Sequence, residues 1–148
     1  MQGVRDQFGW GFNVPSQNLS DSYEAGDVRR DATIIYRGET TPEKDYIKPT
    51  GDNPMYNQKA YVPSGQIGNC SEGSEQNIRL MRFAEVLLMN AEAANEIGDT
   101  GLALASVNKI RQRASLPALT SMSKDQLRLA IWKERRSEMG MENDRFLD

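Results

Sequence analysis

The densest group of residues that could do acid–base chemistry lies near the end of the chain, in the run KERRSEMGMENDR. Glu134 and Glu138 are four residues apart and would share one face of a helix. Paired carboxylates can divide acid and base roles when burial moves their pKa values apart. Arg135 and Arg136 lie within one turn of both, however, and an adjacent cation keeps a carboxylate ionised. We therefore interpret the run as a structural ion-pair network, with catalysis and a partner contact as the alternatives.

The predicted network extends to an earlier helical segment. Glu85 and Glu92 are seven residues apart, near the edge of an apolar stripe. A guanidinium offers a planar fork that matches a carboxylate, so we expect both to pair with arginines of the later helix. The predicted network residues are Glu85, Glu92, Glu134, Arg135, Arg136, Glu138 and Arg145.

The composition argues against most other site chemistry. The chain has no histidine, and its one cysteine, Cys70, lies in a polar stretch without the base that a nucleophilic thiol usually needs. Asp27 and Asp31 are too few for an oxygen cage around a metal ion. No glycine-rich phosphate loop and no serine elbow occurs. A net charge of −3 without a basic stripe disfavours nucleic acid. We predict no catalytic residue, metal or cofactor.

Aromatic residues between polar neighbours are the better candidates for a binding site. An amphipathic ring offers a flat apolar face beside a polar edge, as a sugar-stacking platform does. Trp10 is the preferred member, because glycines on both sides clear space around its ring. The alternative is that these rings pack loops onto a core. The predicted ligand-binding residues are Trp10, Tyr23, Tyr36 and Tyr46.

Two segments with different patterns must position these residues. Residues 1–77 show no sustained periodicity and hold five of the six prolines and all five tyrosines, which predicts an irregular, loop-rich segment. Within it, DATIIYRG predicts a strand. VPSQNLSDSYEAGD predicts one or two helical turns with Ser16 or Ser20 as the cap and Gly26 as the stop. Residues 78–148 show helical periodicity.

Three helices are predicted in this second segment. Gly98 ends the first, the short GDT turn makes the second run back antiparallel, and Ser123 with Gln126 forms a capping box for the third. The predicted apolar faces are Leu80, Phe83, Leu87, Ala91, Ala94 and Ile97, then Ala103, Val107, Ile110 and Ala114, then Leu127, Ile131, Trp132 and Met139.

Small residues along the first two helices predict a closely packed hairpin that resembles a tetratricopeptide unit. The fold class is thus mostly α: one helical hairpin and a third helix, with an irregular segment before them. One and a half such units fall short of the roughly three that a solenoid needs. We therefore expect one domain that is a piece of a longer protein.

Four stretches resemble the SusD/RagB outer-membrane nutrient-binding lipoproteins of Bacteroidetes, in that family's order and spacing. They are GWGFNVPSQNLSDSYEAGDVRRDATI, RFAEVLLMNAEAANEIGD, ALASVNKIRQRASLP and IWKERRSEMGMENDRFLD. The resemblance implies the C-terminal portion of such a protein. It also implies a binding protein rather than an enzyme, held on the cell surface by a lipid anchor upstream of this chain.

The function implied by this resemblance is capture of a glycan, or a peptide, and its delivery to a SusC-like, TonB-dependent transporter. The helical hairpin would be the scaffold and the aromatic segment the recognition surface. The competing hypothesis is a tetratricopeptide-type scaffold that binds protein partners through its helices.

Overall fold

The computed structural model of the chain describes residues 4–5, 9–67, 77 and 79–142. Within these residues the fold is mostly helical, which confirms the predicted class. The helices are α1 (Gln17–Ser22), α2 (Arg29–Thr33), α3 (Phe83–Glu96), α4 (Thr100–Arg113) and α5 (Lys124–Met139). The strands are β1 (Ile34–Tyr36) and β2 (Met55–Asn57), and a 3-10 turn covers Ser64–Gln66. Cys70 and Arg145 lie outside the described residues.

The chain divides into two compact units. The loop unit comprises Met1–Asp21 and Arg30–Ile78. The helical unit comprises Ser22–Arg29 and Arg79–Asp148, so eight residues from the irregular segment belong with the helices. We call Ser22–Arg29 the strap. None of the helices in the described ranges is long and apolar enough to cross a membrane.

The loop unit is organised around a two-stranded antiparallel sheet. β1 pairs with β2 so that Ile35 faces Tyr56, and both are buried in a small apolar cluster with Val4, Ile47 and Tyr61. The strand predicted in DATIIYRG is shorter than its pattern suggested, because α2 occupies the first part of it. The predicted helical turn is present as α1, with the Ser16 hydroxyl accepting from the Leu19 amide. It ends at Ser22, before Gly26.

The core of the helical unit is formed by α3, α4 and α5. Small side chains let α3 and α4 approach closely, since Ala91 and Ala103 are both fully buried between them. The predicted apolar face of α4 is confirmed along its whole length. On α5, Leu127 and Ile131 are fully buried, and Ser123 and Gln126 form the predicted capping box.

The predicted apolar face of the first helix is wrong at both ends. Leu80 and Phe83 are 84% and 71% exposed, and Ile97 is 82% exposed. The spacing of apolar residues does not show which part of α3 the neighbouring helices contact. Phe83 is the first residue of α3 and Ile97 is its C-cap, so both lie outside the part of the helix that is buried. The buried apolar residues of α3 are Leu88, Ala91 and Ala94.

Gly98 ends α3 in the predicted way. Its φ is +85°, its amide donates to the Asn95 carbonyl at 3.1 Å, and the Asp99 amide donates to the Ala94 carbonyl at 2.8 Å. These bonds satisfy carbonyls that the helix leaves open, and the left-handed backbone favours glycine.

We expect Gly98→Ala to lower the free energy of unfolding by about 1 kcal/mol, because a Cβ is strained at this φ. A Cβ at Gly98 would meet no atom within 4 Å, so the backbone alone carries the effect. Urea unfolding followed by helical circular dichroism measures it. Gly101→Ala is the control: Gly101 lies inside α4, where alanine stabilises by about 0.5–1 kcal/mol. Equal effects of both changes would contradict the left-handed assignment.

Candidate functional site

A cluster of buried charges lies inside the helical unit, around the two carboxylates of α5. The Arg29 guanidinium donates to Glu134 Oε1 at 2.6 Å and to Glu138 Oε2 at 3.2 Å. Arg111, from α4, donates to Glu134 Oε2 at 2.9 Å. All four residues are buried. Glu134 therefore lies between two guanidiniums that reach it from different elements.

These charges also hold the strap against the helices. Arg29 donates twice to Asp27, at 2.8 and 2.7 Å, and Arg111 donates twice to Glu24, at 2.9 and 3.1 Å. The Tyr23 hydroxyl donates to the Ser137 carbonyl at 3.2 Å. The hydrogen bonds from Arg111 and its charge lower the pKa of Glu24 to about 2. Two bidentate arginine–carboxylate pairs, Arg29 with Asp27 and Arg111 with Glu24, therefore hold the strap in place.

Glu138 has the most cationic surroundings. Besides Arg29, it accepts from Arg82, just before α3, and from Arg113 of α4. Burial by itself raises the pKa of Glu138, but the hydrogen bonds and charges of Arg82 and Arg113 outweigh it and lower that pKa to about 2. Glu138 is therefore ionised at neutral pH.

This arrangement supports a structural role. Each carboxylate of the cluster faces at least one guanidinium, which favours ion pairing over proton transfer. In the part of the chain that the structure describes, no group of His, Cys, Asp or Glu side chains could hold a metal ion. The cluster links the strap, α4 and α5 through charged side chains.

The structure does not bring all the predicted network residues together. Arg135 approaches Glu92 to 3.9 Å, and the Trp132 indole donates to Glu92 at 2.9 Å. Trp132, predicted to lie on the apolar face of the third helix, is half exposed. Within the described residues, Glu85 Oε2 is buried and has no hydrogen bond. Arg136 lies in the last turn of α5.

Sequence reasoning missed the arginines that complete the cluster, although one signal was available. Arg111 follows Val107 by four residues and so falls on the apolar stripe of α4. Glu134 and Glu138 fall on the stripe that Leu127 and Ile131 begin on α5. A charged residue at a core position requires a buried partner. Arg29 gave no such signal, because it lies in an irregular segment.

The loop unit contains an exposed pair of aromatic rings. Trp10 and Phe12 are 56% and 63% exposed, their ring centroids are 6.4 Å apart, and their planes differ by 13°. We call this pair the aromatic platform. Trp10 was predicted as a ligand-binding residue, whereas Phe12 was not. The sequence signal that could have identified Phe12 is its position two residues after Trp10, with one glycine between them.

The loop that carries the aromatic platform is held in a defined shape. Gly11, between the two rings, has φ +66°, and its carbonyl accepts from the Asn53 side-chain amide at 3.3 Å. The Arg5 side chain lies against Gly11, and its Nε is 3.4 Å from Asp52 Oδ2. Both of these charged groups are largely exposed. Hydrogen-bond donors and acceptors therefore flank the loop that carries the two apolar rings.

The other predicted ligand-binding residues have different surroundings. Tyr46 is 54% exposed in the loop unit, where it forms a β-bridge with Thr40. The Tyr36 hydroxyl shares a 2.6 Å hydrogen bond with Ser20. Tyr23 belongs to the strap, with its hydroxyl bonded inside the helical unit. Of the four, Trp10 and Tyr46 have the most accessible rings.

Comparison with known proteins gives one consistent result. The SusD family model matches residues 3–148. SusD-like protein P2 of Formosa agariphila is 33% identical over 95% of this chain and 31% of its own length. SusD-like protein P38 of the same organism is 37% identical over 50% of this chain and 16% of its own length. The chain thus spans about a third or less of these relatives.

Solved structures agree with the sequence relatives. A SusD-like protein from Bacteroides fragilis matches 93% of this chain and 36% of its own, with a TM-score of 0.77 and 27% identity. Surface glycan-binding protein A from Bacteroides uniformis matches 95% of this chain and 29% of its own, with a TM-score of 0.74 and 30% identity. The family predicted from four short stretches is confirmed: the chain belongs to the SusD family.

Proposed function

We propose that this chain is part of a protein that binds a nutrient glycan at the bacterial cell surface. The observation that carries the proposal is the aromatic platform, two exposed rings on a braced loop with polar groups beside it. Exposed, parallel rings suit the apolar C–H faces of sugars. Related structures support this choice, since one is a surface glycan-binding protein and another, from Bacteroides vulgatus, a SusD-like carbohydrate binding protein.

We also propose a wider role, which membership of the SusD family supports. The bound glycan would be handed to a SusC-like, TonB-dependent transporter in the outer membrane, with the protein held there by a lipid anchor. No catalytic role is proposed, because the charge cluster is arranged for ion pairing. Co-purification of a transporter with the tagged protein from membranes tests this part. Its absence under conditions that keep the glycan bound would contradict the hand-over.

Replacing Trp10 tests the binding proposal. We expect Trp10→Ala to lower the affinity for the glycan that binds best on an array at least about tenfold, because loss of one large stacking face removes more than about 1.4 kcal/mol. Isothermal titration calorimetry measures it. Phe83→Ala is the control, since Phe83 is as exposed but lies in the helical unit. Unchanged affinity in Trp10→Ala, with its thermal stability intact, would contradict the proposal.

A protein-binding scaffold is the second candidate, and one observation favours it. Leu80 and Met81, just before α3, and Phe83, its first residue, are exposed and apolar, and exposed apolar side chains close in sequence are typical of an interaction surface. The same two variants separate the candidates. A scaffold would lose its protein partner in Phe83→Ala and keep it in Trp10→Ala, and it would show no response to saccharides.

A further inference from the structure

The strap contributes no buried apolar side chain to the helical unit. Its buried residues are Asp27 and Arg29, whereas Ala25 is exposed and Val28 is 53% exposed. The buried members of the hydrophobic core of this unit all lie on α3, α4 and α5. Since burial of apolar surface is the main force that holds a fold together, the helices have a core that does not include the strap.

The strap is attached to the helices by directional polar bonds. Glu24 accepts from Arg111 and, at 3.3 Å, from Lys133. Arg29 donates to Glu134 at 2.6 Å. A hydrogen bond is lost once the donor and acceptor move beyond about 3.5 Å. A small displacement of the strap would therefore break these bonds together and leave a detached segment.

Detachment of the strap would leave each buried charge with a partner. Asp27 remains bonded to Arg29 within the strap, and Glu134 remains bonded to Arg111 within the helices. Glu138 keeps its two other arginines. Breaking a buried ion pair is costly mainly when one charge is left without a counter-charge. Detachment avoids that cost, because the cluster separates into groups that are each paired.

We infer that the strap is a conformational switch, which detaches from α4 and α5 as one unit while the helices stay folded. Parts of a protein with few buried apolar groups open at a lower free energy than the whole, often as cooperative units. In the open state Glu24 and the pair of Asp27 and Arg29 are solvated by water.

Amide hydrogen exchange of the full chain, followed by NMR at low urea concentrations, tests the inference. The Asp27 amide donates to the Glu24 carbonyl at 3.0 Å, and the Arg29 amide donates to Asp27 Oδ1 at 3.0 Å. We expect these two amides to share one protection factor, at least about 100-fold lower than those of Val107 and Ile110 in α4. The strap amides should hardly respond to urea, because detachment exposes little surface, whereas the protection of the α4 amides should fall steeply.

Replacing Glu24 tests whether the strap opens as one unit. We expect Glu24→Ala to lower the protection factors of both strap amides about tenfold, because the charged bonds to Arg111 and Lys133 are lost. The Arg29 amide bonds Asp27 and not Glu24, so it responds only if the segment detaches as a whole. Glu96→Ala is the control: it also removes a carboxylate bonded twice to an arginine, but from an exposed pair outside the strap. It should change the strap amides less than about twofold.

Two results would overturn the inference. If the strap amides matched Val107 and Ile110 in protection and in urea dependence, the strap would open only when the helices unfold. If Glu24→Ala lowered protection at Asp27 and left Arg29 unchanged, the strap would fray residue by residue and would not be a switch.

Discussion

Glu134→Gln is expected to lower the free energy of unfolding of the helical unit by about 3 kcal/mol, because it leaves two buried guanidiniums without their shared counter-charge. Glutamine has the size of glutamate, so packing is preserved. Its side-chain amide, however, turns an N–H donor toward either Arg29 or Arg111, which are donors themselves. Urea unfolding at neutral pH, followed by helical circular dichroism, measures the change.

The matched control is Glu96→Gln. Glu96 also accepts two hydrogen bonds from one arginine, Arg128, at 2.6 and 2.9 Å, but this pair is exposed. Water solvates the arginine when the carboxylate is lost, so we expect little change in stability. If Glu134→Gln were as mild as Glu96→Gln, the buried cluster would not stabilise the strap and helices in the way that its geometry indicates.

How much could be predicted from the sequence depends on how local each feature is. Gly98 as a helix end and Ser123 with Gln126 as a capping box are set by residues within one helical turn, and both are confirmed. The stripe of α4 is confirmed because neighbouring elements cover that face of the helix from Ala103 to Ala114. The predicted burial at the two ends of α3 was wrong for the opposite reason. An apolar residue is buried only where another element covers it, and the spacing of residues does not show where that is.

The charge cluster shows the same limit at longer range. Glu134 and Glu138 attracted attention through their own spacing, but the arginines that bond Glu134 include Arg29 and Arg111, which lie far from it in the sequence. Arg29 contributes from 105 residues away along the chain, out of an irregular segment with no periodicity. For the aromatic platform, the flanking glycines singled out Trp10, whereas the arrangement of its ring with that of Phe12 exists only in three dimensions.

The stability of the helical unit should also depend on pH through Glu138. Its pKa is lowered from an ordinary value of 4.5 to about 2 in the folded protein, although burial alone would raise it. A lowered folded-state pKa stabilises the fold above the unfolded pKa, and that contribution is lost as the pH falls through the folded value. We expect about 3 kcal/mol from Glu138 at neutral pH, declining from about pH 5 and nearly absent by pH 2.

Measuring the difference between the wild type and Glu138→Gln isolates this contribution from that of other carboxylates, including Glu24, whose pKa is also lowered. Urea unfolding at steps from pH 7 to pH 2.5 should show a difference that shrinks as the acid protonates Glu138 in the unfolded chain and then in the folded one. Glu96→Gln provides the exposed comparison, again with its arginine partner intact. A wild-type to Glu138→Gln difference that stays constant over this range would mean that the negative charge of Glu138 does not contribute to stability. The ion pairs of Glu138 with Arg29, Arg82 and Arg113 would then add nothing to the stability of the fold.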